Sequence, residues 1–144
     1  QVPWLSGMVI MSASKAKELG LNPIAKIKAV SRGACHPSIM GLSPVPAVQN
    51  LLKSSGIALS DFELCEVNEA FAGQYLGVEK ELGLNREICN VNGSGIGLGH
   101  PVGSTGARLV VSLMYAMKNR NKSLGLATLC GGGGVSMACA IEMM

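Results

Sequence analysis

The stretch GLGHPVGSTGARLVV (97–111) joins a glycine-rich segment to a strongly apolar run. Four of its residues are glycines, and it carries His100, one of only two histidines in the chain. A glycine in a helix or strand interior costs roughly 0.5–1 kcal/mol relative to alanine, so this concentration indicates backbone that turns sharply or approaches another group closely. The apolar run predicts a helix over residues 104–118, and because this helix is apolar nearly all round, we expect it to be buried inside the domain.

Predicted strands alternate with predicted helices along the rest of the chain. The strands are expected near residues 8–11 and at 25–31, 63–67, 125–129 and 135–142, and the other helices at 14–19, 45–54 and 69–82. Gly20, Gly56 and Gly83 stand where helices are expected to end, as helix C-caps prefer. Strands separated by helices indicate an α/β layered domain with a mixed sheet, closed by an antiparallel pair of strands that a glycine turn joins.

Length and charge limit the class of protein. The 144 residues carry a formal net charge of +3 and are 48% hydrophobic, which predicts one domain over residues 1–144 with one substantial core. The densest basic cluster, at 118–122, has only three cations interleaved with asparagines, and the chain has five aromatic residues. This composition offers neither the basic patch nor the stacking platform that nucleic-acid binding requires.

Membrane, leader and metal signals are weak. Residues 123–141 lack charge, but the glycines at 131–134 interrupt them where a bilayer requires continuous helix. The first eleven residues have neither a basic flank nor a small-residue cleavage site, so we expect a cytoplasmic protein. The five cysteines include no C-x-x-C pair, so neither a disulfide framework nor a metal site is expected.

Three polar residues stand at junctions between predicted elements. Asn68 follows the strand at 63–67, His100 lies in the opening stretch, and Cys130 precedes four glycines. Each has an ordinary interpretation on its own: a helix N-cap, a packed loop residue and a small buried thiol. However, strand ends are where α/β sheets place their sites. Glycine-rich backbone beside a titratable group also favours amide N–H groups that point at an anion or a polarised carbonyl oxygen.

Nucleotide-binding patterns fail on spacing. In the G-x-G-x-x-G pattern that would begin at Gly95, His100 takes the place of the third glycine. No glycine in this stretch leads into the Lys-Ser or Lys-Thr of a phosphate-binding loop. The remaining set is a cysteine, a histidine and an asparagine near glycine turns. Such a set suits carbonyl chemistry, in which a thiol and an imidazole exchange protons while amides hold an oxyanion.

Four segments resemble the C-terminal half of the thiolase family. NEAFAGQ (68–74), NVNGSGIGLGHPVGSTGAR (90–108) and CGGGG (130–134) are similar to its three C-terminal signature blocks and follow the same order, and MGLSPVPA (40–47) is similar to a fourth segment. Thiolases condense two acyl-CoA molecules, such as acetyl-CoA, or cleave a 3-ketoacyl-CoA, through an acyl-enzyme on a cysteine. The resemblance implies this activity, a fold of two similar βαβαβαββ halves, coenzyme A thioesters as substrates and no tightly bound cofactor.

The resemblance also implies roles for individual residues. Cys130 matches the acid and base that acts at the α-carbon of the substrate, and for this role we expect nearby amides to lower its pKa. His100 matches the histidine that activates the nucleophilic cysteine and donates a hydrogen bond to a thioester oxygen. Asn68 matches the residue that holds a water in the same oxyanion hole. Gly132 matches a backbone N–H donor of a second oxyanion hole.

Other positions match the family less strictly or depart from it. Met40 and Phe71 match apolar contacts to the pantetheine arm of coenzyme A, although each also suits a plain core position. Ser43 and Ser136 replace glycines of the family pattern, so the turns there are expected to be stiffer. His36 stands where the family often has aspartate, and we expect it to lie in a surface loop.

The resemblance covers only one half of a thiolase. The nucleophilic cysteine belongs to the N-terminal half, and its motif contains none of the other cysteines of this chain: Cys35, Cys65, Cys89 and Cys139. Cys89 is expected to be structural. Two hypotheses follow: the chain is part of a working thiolase and needs an N-terminal half as partner, or it is a non-catalytic module that binds acyl-CoA or another protein. An apolar face meant for the other half should drive association, so a homo-oligomer is expected.

Overall fold

The computed structural model describes residues 5–144, so the first four residues of the predicted domain lie outside the described part. The described residues form four strands: β1 (Ala25–Ala34), β2 (Leu64–Val67), β3 (Leu124–Cys130) and β4 (Val135–Met143). They also form five α-helices: α1 (Ala13–Glu18), α2 (Pro44–Ser55), α3 (Ala72–Leu82), α4 (Gly95–Leu98) and α5 (Val102–Arg120). The predicted elements are confirmed with their ends shifted by at most three residues, except for the strand near residues 8–11.

The four strands form one mixed sheet in the order β1-β4-β3-β2. β2 is parallel to β3, whereas β4 is antiparallel to both of its neighbours. This arrangement confirms the α/β class, the mixed sheet and the closing antiparallel pair. Beyond β2, a single parallel bridge pairs Cys65 with Cys89, so the sheet continues by one residue pair at that edge.

The two faces of the sheet build two hydrophobic cores. Leu126 of β3 packs in one core with Leu51 of α2, and its neighbour Ala127 packs in the other core with Leu109 of α5. Adjacent residues belong to different cores because successive side chains along a strand point to opposite faces. The sheet is therefore the middle of three layers, with α2 on one face and α5 on the other.

The predicted strand near residues 8–11 is wrong. These residues form no regular secondary structure, and the side chains of Val9 and Ile10 are 86% and 66% exposed. An apolar run becomes a strand only where another strand supplies hydrogen-bond partners for its backbone. Among the described strands, none pairs with this segment, so the first strand of the expected order is missing from the sheet.

The expectation that α5 is buried on all sides is also wrong. Its buried residues lie along one side of the helix: Thr105, Arg108, Leu109, Leu113, Ala116 and Met117. Val102, in the first turn, and Tyr115, at the flank of the buried side, are 79% and 51% exposed. The helix thus keeps individual apolar side chains that this chain does not cover. Neither α5 nor any other helix between residues 5 and 144 is long and apolar enough to cross a membrane.

Candidate active site

Two of the predicted site residues lie at one edge of the sheet. Asn68 directly follows β2, and Cys130 is the last residue of β3. The two strands are parallel, with Val67 paired to Thr128, so their carboxyl ends meet at the edge where α/β sheets place ligand sites. The N–H of Asn68 donates to the Thr128 carbonyl oxygen at 3.0 Å. This bond holds Asn68 against β3, two residues before Cys130.

His100 reaches Asn68 from the segment between α4 and α5. The Nε2 atom of its imidazole lies 3.4 Å from Nδ2 of the Asn68 amide. Asn68 is fully buried and His100 is half-buried. The Oδ1 atom of Asn68 is buried as well and has no hydrogen-bond partner among the described residues. The tertiary structure therefore joins two predicted site residues and leaves one amide oxygen as an acceptor beside them.

Thr105, in the first turn of α5, holds the other side of the imidazole. Its Oγ1 lies 2.7 Å from His100 Nδ1, and its hydroxyl donates to the Pro101 carbonyl oxygen at 3.0 Å. Thr105 is fully buried, so the packed start of α5 fixes the ring. Sequence reasoning missed this residue. The only signal was a hydroxyl residue in the helical turn that follows the histidine.

Asn90 shapes the loop that carries Asn68. The Asn90 side chain accepts from the Val67 N–H at 2.8 Å and donates to the Val67 carbonyl oxygen at 2.9 Å. It also donates to the Glu69 carboxylate at 2.8 Å, so one amide takes the place of a neighbouring strand at the end of β2. Because residues 68 and 69 serve this loop, α3 begins at Ala72 rather than at position 69, and Asn68 is not its N-cap.

The glycine turn after Cys130 packs against the segment at residue 35. Gly134 has a φ of 87°, and a Cβ there would collide with the Cys35 carbonyl oxygen. The Cys35 N–H donates to the Gly134 carbonyl oxygen at 2.9 Å. Only glycine fits this close approach. Gly132, in contrast, is exposed and faces open space.

Burial raises the pKa of the Cys130 thiol above its ordinary value, and its backbone amide lowers that pKa by less. Cys130 is 7% exposed. The expectation of a lowered pKa is therefore wrong, because desolvation disfavours the thiolate more than the nearby amide favours it. In this chain, Cys130 is held as the thiol, which is the form that can give a proton.

The two serines that replace family glycines bind carbonyl groups beside Cys130. Ser43 Oγ donates to the Val135 carbonyl oxygen at 2.9 Å, and Ser136 Oγ donates to the Leu129 carbonyl oxygen at 2.6 Å. Neither serine has a positive φ, so no backbone strain arises from the missing glycines. These turns are instead restrained by the two hydroxyl groups, whose hydrogen bonds hold the backbone of the strands on both sides of the glycine turn.

Met40 and Phe71 lie on neighbouring segments. Met40 is partly buried in the 3-10 turn Pro37–Leu42, which packs against both the glycine turn and α3. Phe71 directly precedes α3 and is 69% exposed, so it does not belong to the core. His36 is exposed and caps the same 3-10 turn, because its Nδ1 accepts from the Ser38 N–H at 3.3 Å. This is the surface loop expected for His36.

Two buried ionisable side chains lie next to the site without a hydrogen bond between them. Glu66 of β2 is 1% exposed and Arg108 of α5 is 7% exposed. Burial raises the pKa of Glu66 to about 7, and the nearby Arg108 guanidinium acts in the opposite direction. The three guanidinium nitrogens have no hydrogen-bond partner among the described residues. Sequence reasoning missed this pair, because periodicity does not show which helix a charged strand residue will face.

The described residues contain no group of three or more histidine, cysteine, aspartate or glutamate side chains that could hold a metal ion. All five cysteines are free. Cys65 and Cys89 both lie in the core between the sheet and α2, which agrees with the structural role expected for Cys89.

Comparison with known proteins identifies the family. Residues 21–143 match the family model for the thiolase C-terminal domain, and the chain therefore belongs to the thiolase family. It is 50% identical over 139 residues to the acetyl-CoA acetyltransferase of Escherichia coli (strain K12), which covers 96% of this chain and 35% of that protein. It is 49% identical over 139 residues to a 3-ketoacyl-CoA thiolase of Psychrobacter cryohalolentis, covering 95% of this chain and 36% of that protein. The chain thus spans about a third of the length of these curated relatives.

Solved structures confirm the fold. The crystal structure of the Bacillus anthracis acetyl-CoA acetyltransferase matches with a TM-score of 0.91 and 53% identity, over 93% of this chain and 34% of that chain. Human mitochondrial 3-ketoacyl-CoA thiolase matches with a TM-score of 0.90 and 41% identity, over 92% of this chain and 34% of that chain.

Proposed function

We propose that this chain is the C-terminal part of a thiolase-type acyltransferase. The whole enzyme condenses two acyl-CoA molecules, such as two acetyl-CoA to acetoacetyl-CoA, or cleaves a 3-ketoacyl-CoA with coenzyme A. The names of its relatives support this reaction class. The observation that carries the proposal is the contact between Asn68 and His100 at the edge of the sheet where β3 ends in Cys130.

In this proposal, each residue of the site has a separate task. His100 takes the proton of the nucleophilic thiol on Nε2, and the imidazolium formed then donates that proton in a hydrogen bond to the thioester oxygen. Cys130 gives a proton to the α-carbon of the substrate or removes one from it. Asn68 holds a water in the oxyanion hole, and its unpartnered Oδ1 is an acceptor for such a water. The Gly132 N–H donates to the second oxyanion.

An N-terminal half, on the same or a separate polypeptide, completes the proposed site by supplying the nucleophilic cysteine. Two observations support this partner. The chain spans about a third of the length of its relatives. It also leaves apolar side chains exposed: Val102 and Tyr115 of α5 are open, and Val30 and Met137 of the sheet line a shallow cavity against the same helix. An exposed apolar cavity such as the one that Val30 and Met137 line suits an interface with a partner.

Coenzyme A thioesters are the proposed substrates, with no tightly bound cofactor. Phe71 is exposed and Met40 lies on a turn that packs against the glycine turn, so both positions suit contacts with the pantetheine arm. We further propose a cytoplasmic location, because all five cysteines are free and unpaired thiols persist in reducing compartments.

Expressed alone, the chain is expected to show no thiolysis of acetoacetyl-CoA. Without the nucleophilic cysteine no acyl-enzyme can form, so His100 has no thiol to activate. Adding a thiolase N-terminal half that bears this cysteine is expected to produce activity, which the consumption of acetoacetyl-CoA measures. The control is the same half with its cysteine changed to serine. Turnover by the pure chain alone would contradict the proposal.

The same experiment decides between the two functional hypotheses. If the chain assembles with the N-terminal half but the pair remains inactive, the chain is a non-catalytic module. Retained binding of acetyl-CoA to that inactive pair would then indicate an acyl-CoA-binding module. Loss of that binding would indicate a protein-interaction module.

We also expect the chain alone to associate with copies of itself. The exposed Val102 and Tyr115 side chains of α5 are apolar, and self-association is the available way to remove them from water. Light scattering at high protein concentration is expected to report a homo-oligomer, and Tyr115→Glu, at a half-exposed position, is expected to shift it toward the monomer. A strictly monomeric wild-type chain would contradict this expectation and show that these apolar side chains need no partner.

A further inference from the structure

The two ring nitrogens of His100 face different chemical groups. Nδ2 of Asn68 carries only hydrogens to donate, so Nε2 of His100, 3.4 Å away, is paired with it as an acceptor. A neutral imidazole bears its single proton on one nitrogen and a lone pair on the other. The contact with Asn68 therefore places the proton on Nδ1.

Thr105 supplies the acceptor for that proton. Its Oγ1 lies 2.7 Å from Nδ1, and its hydroxyl hydrogen is directed to the Pro101 carbonyl oxygen at 3.0 Å. Each bond in the series then has one donor and one acceptor: the Asn68 amide donates to Nε2, Nδ1 donates to Thr105, and Thr105 donates to Pro101. The series runs in one direction and ends in the backbone at the start of α5.

We propose that Thr105 is a positioning residue that holds His100 as the Nδ1–H tautomer, so that Nε2 keeps its lone pair, which accepts from the Asn68 amide at 3.4 Å and leaves that long contact when Nε2 takes a proton. The inference rests on the proposed function, in which Nε2 takes the proton of the nucleophilic thiol. The opposite tautomer would turn an N–H toward the hydrogens of the Asn68 amide and leave no lone pair to receive that proton. Which ring nitrogen of a histidine acts is commonly set by the partner of the other one.

Two substitutions at Thr105 distinguish a role in holding the tautomer from a role in packing. Thr105 is fully buried, so Thr105→Val keeps the shape of the side chain and removes only the hydroxyl group. Thr105→Ser keeps the hydroxyl group and removes a methyl group. A role in packing predicts the larger loss from serine, whereas a role in holding the tautomer predicts the larger loss from valine.

Nitrogen-15 NMR of the histidine-labelled chain tests the tautomer directly. The chain has only two histidines, and the exposed His36 is assigned with a His36→Gln variant. In the wild type and in Thr105→Ser, we expect the His100 Nε2 resonance of an unprotonated nitrogen. In Thr105→Val, we expect this resonance to move toward that of a protonated nitrogen. An Nε2–H tautomer in the wild type, or an unchanged tautomer in Thr105→Val, would overturn the proposal.

Kinetics of the chain paired with its N-terminal half supply the second readout. At metal sites, loss of the group that binds the second nitrogen of a histidine lowers activity by about 10- to 100-fold, and by analogy we expect Thr105→Val to lower kcat by that factor. We expect KM to stay within about twofold, since substrate contacts are unchanged, and serine to retain most of the activity. Equal kcat for the valine variant and the wild type would reject the role of Thr105.

The control variant is Ser31→Ala, which removes a hydroxyl group that donates to the Ala47 carbonyl oxygen at 2.6 Å on the α2 side of the sheet. It is expected to leave kcat unchanged. Failure of the proposed function has a different signature: the wild-type pair would show no turnover while the tautomer experiment on the chain still decides the role of Thr105.

Discussion

His100→Ala is expected to lower turnover of the chain paired with its N-terminal half by about a thousandfold or more, and Cys130→Ala by a similar factor. Loss of one oxyanion donor costs about 2.7–4 kcal/mol of transition-state stabilisation, and loss of a general acid or base costs about 10²–10⁴-fold. The melting temperature is expected to change little, because His100 is only half-buried and Cys130→Ala removes a single heavy atom. Thiolysis of acetoacetyl-CoA and thermal unfolding measure the two effects.

Cys89→Ala is the matched control for Cys130→Ala. Both cysteines are 7% exposed, so each substitution removes an equally buried thiol. Cys89 lies in the core between the sheet and α2, away from the glycine turn, and its replacement is expected to leave turnover nearly unchanged. If the two variants lost turnover equally, general destabilisation would explain both and the role of Cys130 would be rejected.

Gly95→Ala is expected to reduce both stability and turnover. A Cβ at position 95 would collide with the Glu69 carbonyl oxygen and lie 3.2 Å from Asn68 Oδ1. The Glu69 backbone can make room for this Cβ only if it shifts, and such a shift moves the neighbouring Asn68 away from His100. Overpacking is expected to lower the unfolding free energy by about 1–3 kcal/mol. Turnover is expected to fall by on the order of a hundredfold, which is the loss that a displacement of about 1 Å in a catalytic group can cause. Urea unfolding of the chain and kinetics of the paired enzyme measure these losses.

Gly97→Ala provides the comparison within the same short helix, α4. A Cβ at position 97 meets nothing within 4 Å, and its φ is not positive. We expect its unfolding free energy to change by less than about 0.5 kcal/mol and its turnover to match that of the wild type. Equal turnover in the Gly95 and Gly97 variants would show that the close approach at Gly95 does not position Asn68.

Most of the fold could be predicted because its signals are local. Gly56 and Gly83 end α2 and α3 in left-handed conformations with φ of 72° and 67°, as expected for glycine after the last turn of a helix. Apolar spacing predicted β1 to β4 and the helices with only small errors at their ends. Each of these signals depends on a few neighbouring residues, which a sequence displays directly.

The failures lie where an element depends on a distant partner. Val9 and Ile10 have the apolar character of a strand, but no described strand pairs with them. α5 has the composition of a fully buried helix, but only one of its sides is covered here. Composition describes what a segment can bury or pair with, whereas burial and pairing themselves require the surface of another element.

The sequence by itself determined the family and the candidate residues Asn68, His100 and Cys130, because each stands in a contiguous motif that can be read without a structure. Only the tertiary structure decided that Asn68 and His100, 32 positions apart, place their side-chain nitrogens 3.4 Å from each other. It also decided that Thr105 holds the second nitrogen of the ring and that burial raises the pKa of Cys130. Such contacts, and the desolvation of a thiol, arise only when strands and helices distant in sequence pack together. A local pattern of residues does not show which groups will meet or how deeply a thiol will be buried.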